Sequence, residues 1–511
     1  MEAGPNYDIA IIGGGINGAG IARDAAGRGL SALLVEKNDL ASATSSWSSK
    51  LIHGGLRYLE QYEFRLVAEA LSERQTLLNI APHLVKPLRF VMPHVPALRP
   101  RWMIRAGLFL YDHLGRRAIT SSKQAGELAE STSVSLRQQP YRNGLKPEYT
   151  HGFMYSDCRV DDSRLVLTNA KSASECGATI LPRTECRKGK RVAGNWELQL
   201  RSASGENTTV TARAVVNASG PWVKRVLNDC LRQPSTDNVR LVKGSHIVVP
   251  RAYPGEHAFI LQNDDRRVVF MIPYENNYTL IGTTDMAVEN PPDIPQASGE
   301  EIAYLCSAVN RYMSVQVSPH DVVWSYAGVR PLYDDGSPNP SSVTRDYTLR
   351  LDADAGTAPV LSVFGGKITT YRKLAEHALE KLAPWFPHMH PPWTAESPLP
   401  GGEPPAASEH PEPWRTLPND IIASIQNRHG TRIQHVLQSV NTKADLGEHF
   451  GANIYAREID YMIEHEWAAT AEDVLYRRSK AGLHMTEAQR QKVDRYVSAH
   501  FARSERNLDM R

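Results

Sequence analysis

Residues 7–12 are a short, mostly apolar run, the length of a buried strand. Residues 13–20 are rich in glycine and read as a turn. Residues 17–28 suit a helix, and Gly29 supplies its stop. Residues 31–35 are a second apolar run, ending at Glu36. The order strand, turn, helix, strand predicts one β-α-β unit. Further strand patterns fall at 196–201, 208–217, 245–249, 267–272 and 278–282. Another, at 361–364, runs into Gly365-Gly366, and a helical pattern then extends from about Thr369 to Leu382. No repeat of fixed period interrupts this order.

The pattern changes beyond residue 390. Nine prolines fall between residues 391 and 418, which neither a helix nor a sheet tolerates, so the segment reads as a linker. From 419 to 511 the patterns are mostly helical, with charged runs at 455–465 and 471–480, and predict a separate all-helical domain.

Composition narrows the class. The chain has 511 residues, of which 41% are hydrophobic and 22% charged, an ordinary globular balance. Lys plus Arg is 58 against 56 for Asp plus Glu, a net charge of +2 that gives no support for nucleic-acid binding. No run of about 20 apolar residues predicts a membrane span, and the start has no basic segment of a secretory signal. The five cysteines are scattered, with no C-x-x-C, so reduced thiols are expected and a zinc or other metal site is not.

The chemistry begins at Gly13-Gly14-Gly15-Ile16-Asn17-Gly18, a G-x-G-x-x-G between strand and helix. Gly13 permits the tight turn, Gly15 lets backbone approach a pyrophosphate, and Gly18 lets the helix pack on the strand. The helix N-terminus offers free N–H groups to the anion. Glu36, 18 residues after Gly18, is placed to accept hydrogen bonds from ribose hydroxyls. The motif alone does not choose between NAD and FAD. Its position at the extreme N-terminus, with no second copy for a nicotinamide cofactor, favours FAD.

Four stretches then resemble the FAD-dependent glycerol-3-phosphate dehydrogenases. They are residues 44–60 (TSSWSSKLIHGGLRYLE), 241–250 (LVKGSHIVVP), 325–332 (SYAGVRPL) and 364–372 (FGGKITTYR). Arg477-Arg478-Ser479-Lys480 is similar to that family's ending, and Trp47 departs from its usual run of small residues. The resemblance is to the aerobic, single-chain bacterial type within the D-amino-acid-oxidase-like superfamily. It implies an α/β fold with a Rossmann-like FAD-binding domain (1–88, 153–242 and 340–390). Interleaved with it is an antiparallel-sheet substrate domain (89–152 and 243–339), and the helical C-terminal domain follows. It implies non-covalent FAD held by Gly13, Gly15, Ile16, Asn17, Gly18, Glu36 and Lys37. Thr44, Ser45, Ser46, Ser49, Lys50, Leu51, His53 and Gly54 are expected to add contacts from the second stretch. Ser219, Gly220, Gly365, Gly366, Lys367, Thr369 and Thr370 are expected to reach the flavin.

Oxidation of sn-glycerol 3-phosphate at C2 sends a hydride to flavin N5 and needs a base for the hydroxyl proton and a cradle for a dianion. Guanidinium forks suit the phosphate, and Arg57, Arg330 and Arg345 lie in or near the family-like stretches. Histidine suits the base; His246 and His53 stand out among 18, with Tyr58 able to orient the substrate. Lys367 beside a helix start suits negative charge at the flavin's pyrimidine edge. The resemblance further implies ubiquinone as acceptor, attachment to the cytoplasmic face of the inner membrane (otherwise a cytoplasmic enzyme), and allows a homodimer. Residues 99–111 combine arginines with bulky apolar side chains, which fits either an interfacial or a buried helix. Two alternatives stay open: an amine or amino-acid oxidase of the same superfamily, and a catalytically dead FAD-binding scaffold.

Overall fold

The computed structural model describes residues 6–117, 128–233, 238–265, 267–292, 294–334, 346–353, 357–404, 414 and 416–509, apart from some side chains, Arg57 among them. Its first layer grows from the predicted β-α-β unit. Strand Asn6–Ile12, helix Ile16–Gly27 and strand Ala32–Val35 follow each other as the hydrophobic pattern requires. Asn6–Ile12 lies parallel between Asn207–Asn217 and Ala32–Val35, with Ile11 opposite both Val216 and Leu34. Val360–Phe364 and Thr179–Leu181 extend this parallel core on either side, and three antiparallel strands complete eight. Both faces of a parallel sheet are covered, which is why its strands are apolar without alternation. Helices Ile16–Gly27, Asp162–Glu175 and Tyr371–Leu382 cover one face, packed through Ala19, Ala22, Ala170 and Ala375.

The second sheet has ten strands, mostly antiparallel. Its long central strand, Val239–Pro250, pairs with Trp324–Tyr333 and Tyr278–Gly282. Here the period of two is visible. Ile247, Val249, Phe259 and Ile281 enter one core with Leu305 and Val309 of helix Gly299–Asn310. Val248, Ala258, Ile260 and Leu280 enter the other, with Leu71 of helix Phe64–Ile80 and Leu108 of helix Arg101–Arg117.

Strand pairing divides the chain differently from the sequence reading. Val85–Pro93, His151–Val160 and Val239–Pro250 are whole strands of the second sheet. The boundaries drawn near 88, 153 and 242 therefore cut through strands. Each strand mixes apolar residues with charged ones such as Arg89, Asp157 and Lys243, and that local pattern carries no mark of which sheet the strand joins.

The proline-rich segment is anchored where it is described. Leu399 is fully buried, its N–H donates to the Ile80 carbonyl, and Arg23 and Trp393 tie the segment to helix Ile16–Gly27. The last part is helical, with Asn419–His429, Ala456–Glu466 and Glu487–Asp509, but is not all-helical. Gly447 and Gly451 admit left-handed turns around a small hairpin, His449–Gly451 with Ile454–Tyr455. Arg478, fully buried, binds Asp39 through both guanidinium arms, and Arg477 Nε adds a contact of 2.6 Å. Arg164 reaches Glu466 at 2.6 Å. The C-terminal part thus grips the loop that follows Glu36.

Candidate active site and cofactor cleft

One cleft of about 540 Å³ runs between the two sheets. At its mid-point is the glycine turn. Gly13 has φ of 115°, and a Cβ there would lie 2.5 Å from the Ala218 carbonyl oxygen. A Cβ at Gly18 would overlap the Gly13 carbonyl, so Gly18 sits behind the cleft and serves helix packing. Gly15 caps the helix without a side chain, leaving its N-terminus open to an anion. Ser45 Oγ lies across that N-terminus and accepts from Ile16 N–H at 2.9 Å.

Glu36 is fixed by two backbone donors, Gly14 N–H at 2.7 Å and Asn38 N–H at 2.8 Å. Each carboxylate oxygen keeps a further lone pair for a ribose hydroxyl. Burial pushes its pKa up. Asn17 Nδ2 donates to the Gly365 carbonyl at 3.2 Å, joining the fingerprint to the Gly365-Gly366 turn across 348 residues. Both turn glycines have positive φ, as the sequence pattern requires.

At the far end His246, Arg330, Lys367 and His53 line the same cleft. Val239–Pro250 carries His246 opposite Tyr326, and Gly244 opposite Gly328. The His246 ring stacks on Tyr326, with centroids 4.9 Å apart, and its Nε2 lies 2.9 Å from Ser49 Oγ. Its Nδ1 has no hydrogen-bond partner among the described residues. When Nε2–H donates to Ser49, Nδ1 carries a free lone pair. Burial pushes the pKa of His246 well below 6.5, and Arg330 and Lys50 push the same way, so the ring is neutral in the free enzyme; a dianion bound beside it would raise its basicity.

Arg330 belongs to the neighbouring strand, opposite Val242. Its guanidinium leans back over Gly244, where a Cβ would lie 2.6 Å from Nη2. It is ion-paired with Asp285 and donates to Thr283 Oγ1 at 3.2 Å. Thr283 follows Gly282, the cross-strand partner of His246, so the fork is brought back beside the imidazole. The Lys367 ammonium is buried with no hydrogen-bond acceptor among the described residues, 4.0 Å from the centre of the Tyr58 ring. A buried cation without an acceptor is costly unless a ligand supplies one.

Several expected contacts lie elsewhere. Lys50 is buried behind the cleft wall, bound to Asp162 at 2.8 Å and the Ser46 carbonyl at 2.9 Å; its left-handed φ of 56° turns it away. Ser46 turns back to the Ala43 carbonyl at 3.3 Å. Gly54 packs against Leu71 and Tyr111, leaving no room for a side chain. Thr369 supports His53, whose N–H it accepts at 3.3 Å, and Thr370 closes the turn onto the Lys367 carbonyl at 3.1 Å. Tyr58 stands beside Lys367 without lining the cleft. Ile16, Asn17, Lys37, Thr44, Ser49, Leu51, Ser219 and Gly220 do line it. Arg345 and the Arg57 side chain lie outside the described residues.

Sequence reasoning missed Asp285 and Thr283, which hold Arg330, and Ser49 as the partner of His246. The polar cluster Gly282-Thr283-Thr284-Asp285 closing an apolar strand was the available signal. Trp47 is accommodated by Gly328, whose missing side chain admits its backbone, and packs 5.4 Å from Tyr326.

The family described as FAD dependent oxidoreductase matches residues 8–372, and the C-terminal domain of alpha-glycerophosphate oxidase matches 392–504. A Pseudomonas aeruginosa protein named glycerol-3-phosphate dehydrogenase is 53% identical, over 96% of this chain and 95% of that one. The chain belongs to the FAD-dependent glycerol-3-phosphate dehydrogenase family. A Brucella abortus relative named D-erythritol 1-phosphate dehydrogenase is 50% identical, over 94% of this chain and 96% of its own. A solved structure, described as the glycerol-3-phosphate dehydrogenase from Bacillus halodurans complexed with FAD, superposes with a TM-score of 0.71. It is 25% identical, over 97% of this chain and 95% of that one. As in its family, the cofactor here is FAD and the enzyme an oxidoreductase. The cleft fits that group. Its glycines clear the backbone, Glu36 suits the ribose, and Lys367 offers an unmatched cation for the electron-rich ring edge.

Proposed function

We propose that this enzyme oxidises sn-glycerol 3-phosphate to dihydroxyacetone phosphate and passes the electrons to a membrane quinone. The observation that carries the substrate is the meeting of Arg330, neutral His246 and Lys367 in one cleft. The glycine turn, Glu36 and Lys367 would hold FAD, which would supply the two-electron acceptor for a hydride from C2. Arg330 receives the phosphate in a charge-assisted fork, while Asp285 holds the guanidinium in place before substrate arrives. His246 takes the C2 hydroxyl proton at Nδ1, with Ser49 fixing the ring.

The test is anaerobic addition of substrate to purified holoenzyme. Glycerol 3-phosphate should bleach the flavin absorbance within the mixing time of a turnover. Faster bleaching by erythritol 1-phosphate would move the assignment to a four-carbon substrate, and bleaching by glycine or sarcosine instead would make the enzyme an amine oxidase. No bleaching by any of them is the outcome of a dead scaffold.

Helix Arg101–Arg117 supports the membrane part of the reading. Ile104, Leu108 and Tyr111 are buried, whereas Trp102 is 70% exposed, Phe109 58% and Met103 45%. Tyr62, 79% exposed, and Phe64 flank the preceding turn. No helix of the described residues is long and apolar enough to cross a membrane, so attachment would be peripheral, on the inner face. Anionic vesicles should sediment the wild type but not Trp102→Ser/Phe109→Ser; equal sedimentation refutes this surface.

A further inference from the structure

Cys186 and Cys230 are 44 positions apart in sequence, yet their sulfurs lie 3.6 Å apart. Cys186 sits on strand Thr184–Val192, where the pairing register shifts before Lys188. Cys230 ends the short helical turn Val226–Cys230, and its S–H also reaches the Cys186 carbonyl at 3.2 Å. Both line the FAD cleft together with Trp222 and Asp229. With the pyrophosphate on the glycine turn and the ribose at Glu36, the adenine would go at this end, beyond Glu36. The other thiols have different settings: Cys158 and Cys306 are buried in hydrophobic cores, and Cys176 is exposed.

We propose that Cys186 and Cys230 are an oxidisable dithiol at the adenine end of the cleft, and that their disulfide and bound FAD oppose each other. The contact between the two sulfurs lowers the pKa of Cys230 and raises that of Cys186; Arg187 favours the Cys230 thiolate too, against burial and the Glu185 and Asp229 carboxylates, so Cys230 is the thiol that reacts first. The oxidant is a peroxide. The Cys230 thiolate attacks one oxygen of hydrogen peroxide, the O–O bond breaks, and hydroxide leaves behind a sulfenic acid. The Cys186 sulfur then displaces that hydroxyl, which departs as water with the thiol proton. Two thiols lose two electrons and two protons, and one peroxide becomes two waters. Disulfide sulfurs stand about 2.05 Å apart, so closure draws the turn Val226–Cys230 toward the strand by about 1.5 Å. That shift narrows the adenine wall, while adenine in place covers the sulfurs. Because binding linkage is reciprocal, a disulfide that weakens FAD binding is itself disfavoured by FAD.

The experiment uses the full-length chain with FAD removed and with FAD restored, in a Cys176→Ser background. Each form is treated with equimolar hydrogen peroxide. Peptide mapping after alkylation should find a Cys186–Cys230 linked peptide, lighter by two hydrogens, in the FAD-free protein and little in the holoenzyme. FAD titration by fluorescence should show affinity about tenfold weaker for the oxidised form, restored by dithiothreitol. Cys186→Ser and Cys230→Ser should each yield no linked peptide and an FAD affinity insensitive to peroxide. No linked peptide in the wild type overturns the pair. A linked peptide that forms equally fast with FAD bound, or that leaves FAD affinity unchanged, overturns the opposition.

Discussion

Arg330 and His246 divide the work of the substrate end, and their environments set separate expectations. Arg330→Lys keeps the charge but loses the fork that Asp285 and Thr283 hold, so KM should rise strongly. Arg330→Ala should lower kcat/KM about a hundredfold, on the order of 3 kcal/mol. Steady-state kinetics near wild type would remove Arg330 from the site. His246→Asn should slow anaerobic flavin bleaching by about 10² to 10⁴ while FAD stays bound. The acid limb of kcat/KM reports the free enzyme, where burial lowers the His246 pKa, so activity should hold as pH falls through 6.5 and fail only below it. The dianionic substrate favours the protonated ring, so the limb of kcat should lie at higher pH. The same burial has a stability sign. Below 6.5 the unfolded ring binds a proton that the folded ring refuses, so this residue contributes a loss of stability as pH falls. A kcat/KM limb above 6.5 would show that another group is the base.

At the scale of elements, legibility followed the range of the interaction. The glycine fingerprint, its helix and Glu36 were readable because turn geometry, helix start and strand end are all decided within about thirty residues. Gly18→Ala tests that reading: the new methyl group meets the Gly13 carbonyl, so the variant should purify largely without FAD. The wild type should instead release yellow flavin into the filtrate on denaturation, because FAD is held without a covalent bond. A fully loaded Gly18→Ala enzyme would refute the packing role. What stayed hidden needed partners far along the chain. Lys50 sits among cleft-lining residues, but its ammonium goes to Asp162, 112 positions away. Asp285 is invisible as the holder of Arg330 until two strands are paired. The thiols of Cys186 and Cys230 read as scattered because nothing local distinguishes a strand cysteine from its neighbours.

At the scale of the whole molecule, the grip on Asp39 joins the last helical part to the first sheet. Removing one partner of a buried, hydrogen-bonded ion pair strands the other charge, at a cost of about 3–5 kcal/mol. Arg478→Ala should therefore lower the melting temperature markedly, and FAD affinity should fall with it, since Asp39 lies just beyond Glu36. A variant with unchanged melting and cofactor affinity would show that the grip is dispensable.

That grip also sets an order of events at the ribosome. Asp39 emerges early, while Arg477 and Arg478 follow it by 438 and 439 residues. At roughly 5–20 residues per second, synthesis leaves that carboxylate without these two guanidinium partners for on the order of a minute, with Arg183 alone among the described residues in reach until then. The strand Asn6–Ile12 likewise waits for Asn207–Asn217 before one of its edges is covered. A nascent chain can form the glycine turn at once, but it can retain a cofactor firmly only after Arg477 and Arg478 have been made. Stalled or truncated products lacking the final segment should therefore leave the ribosome colourless.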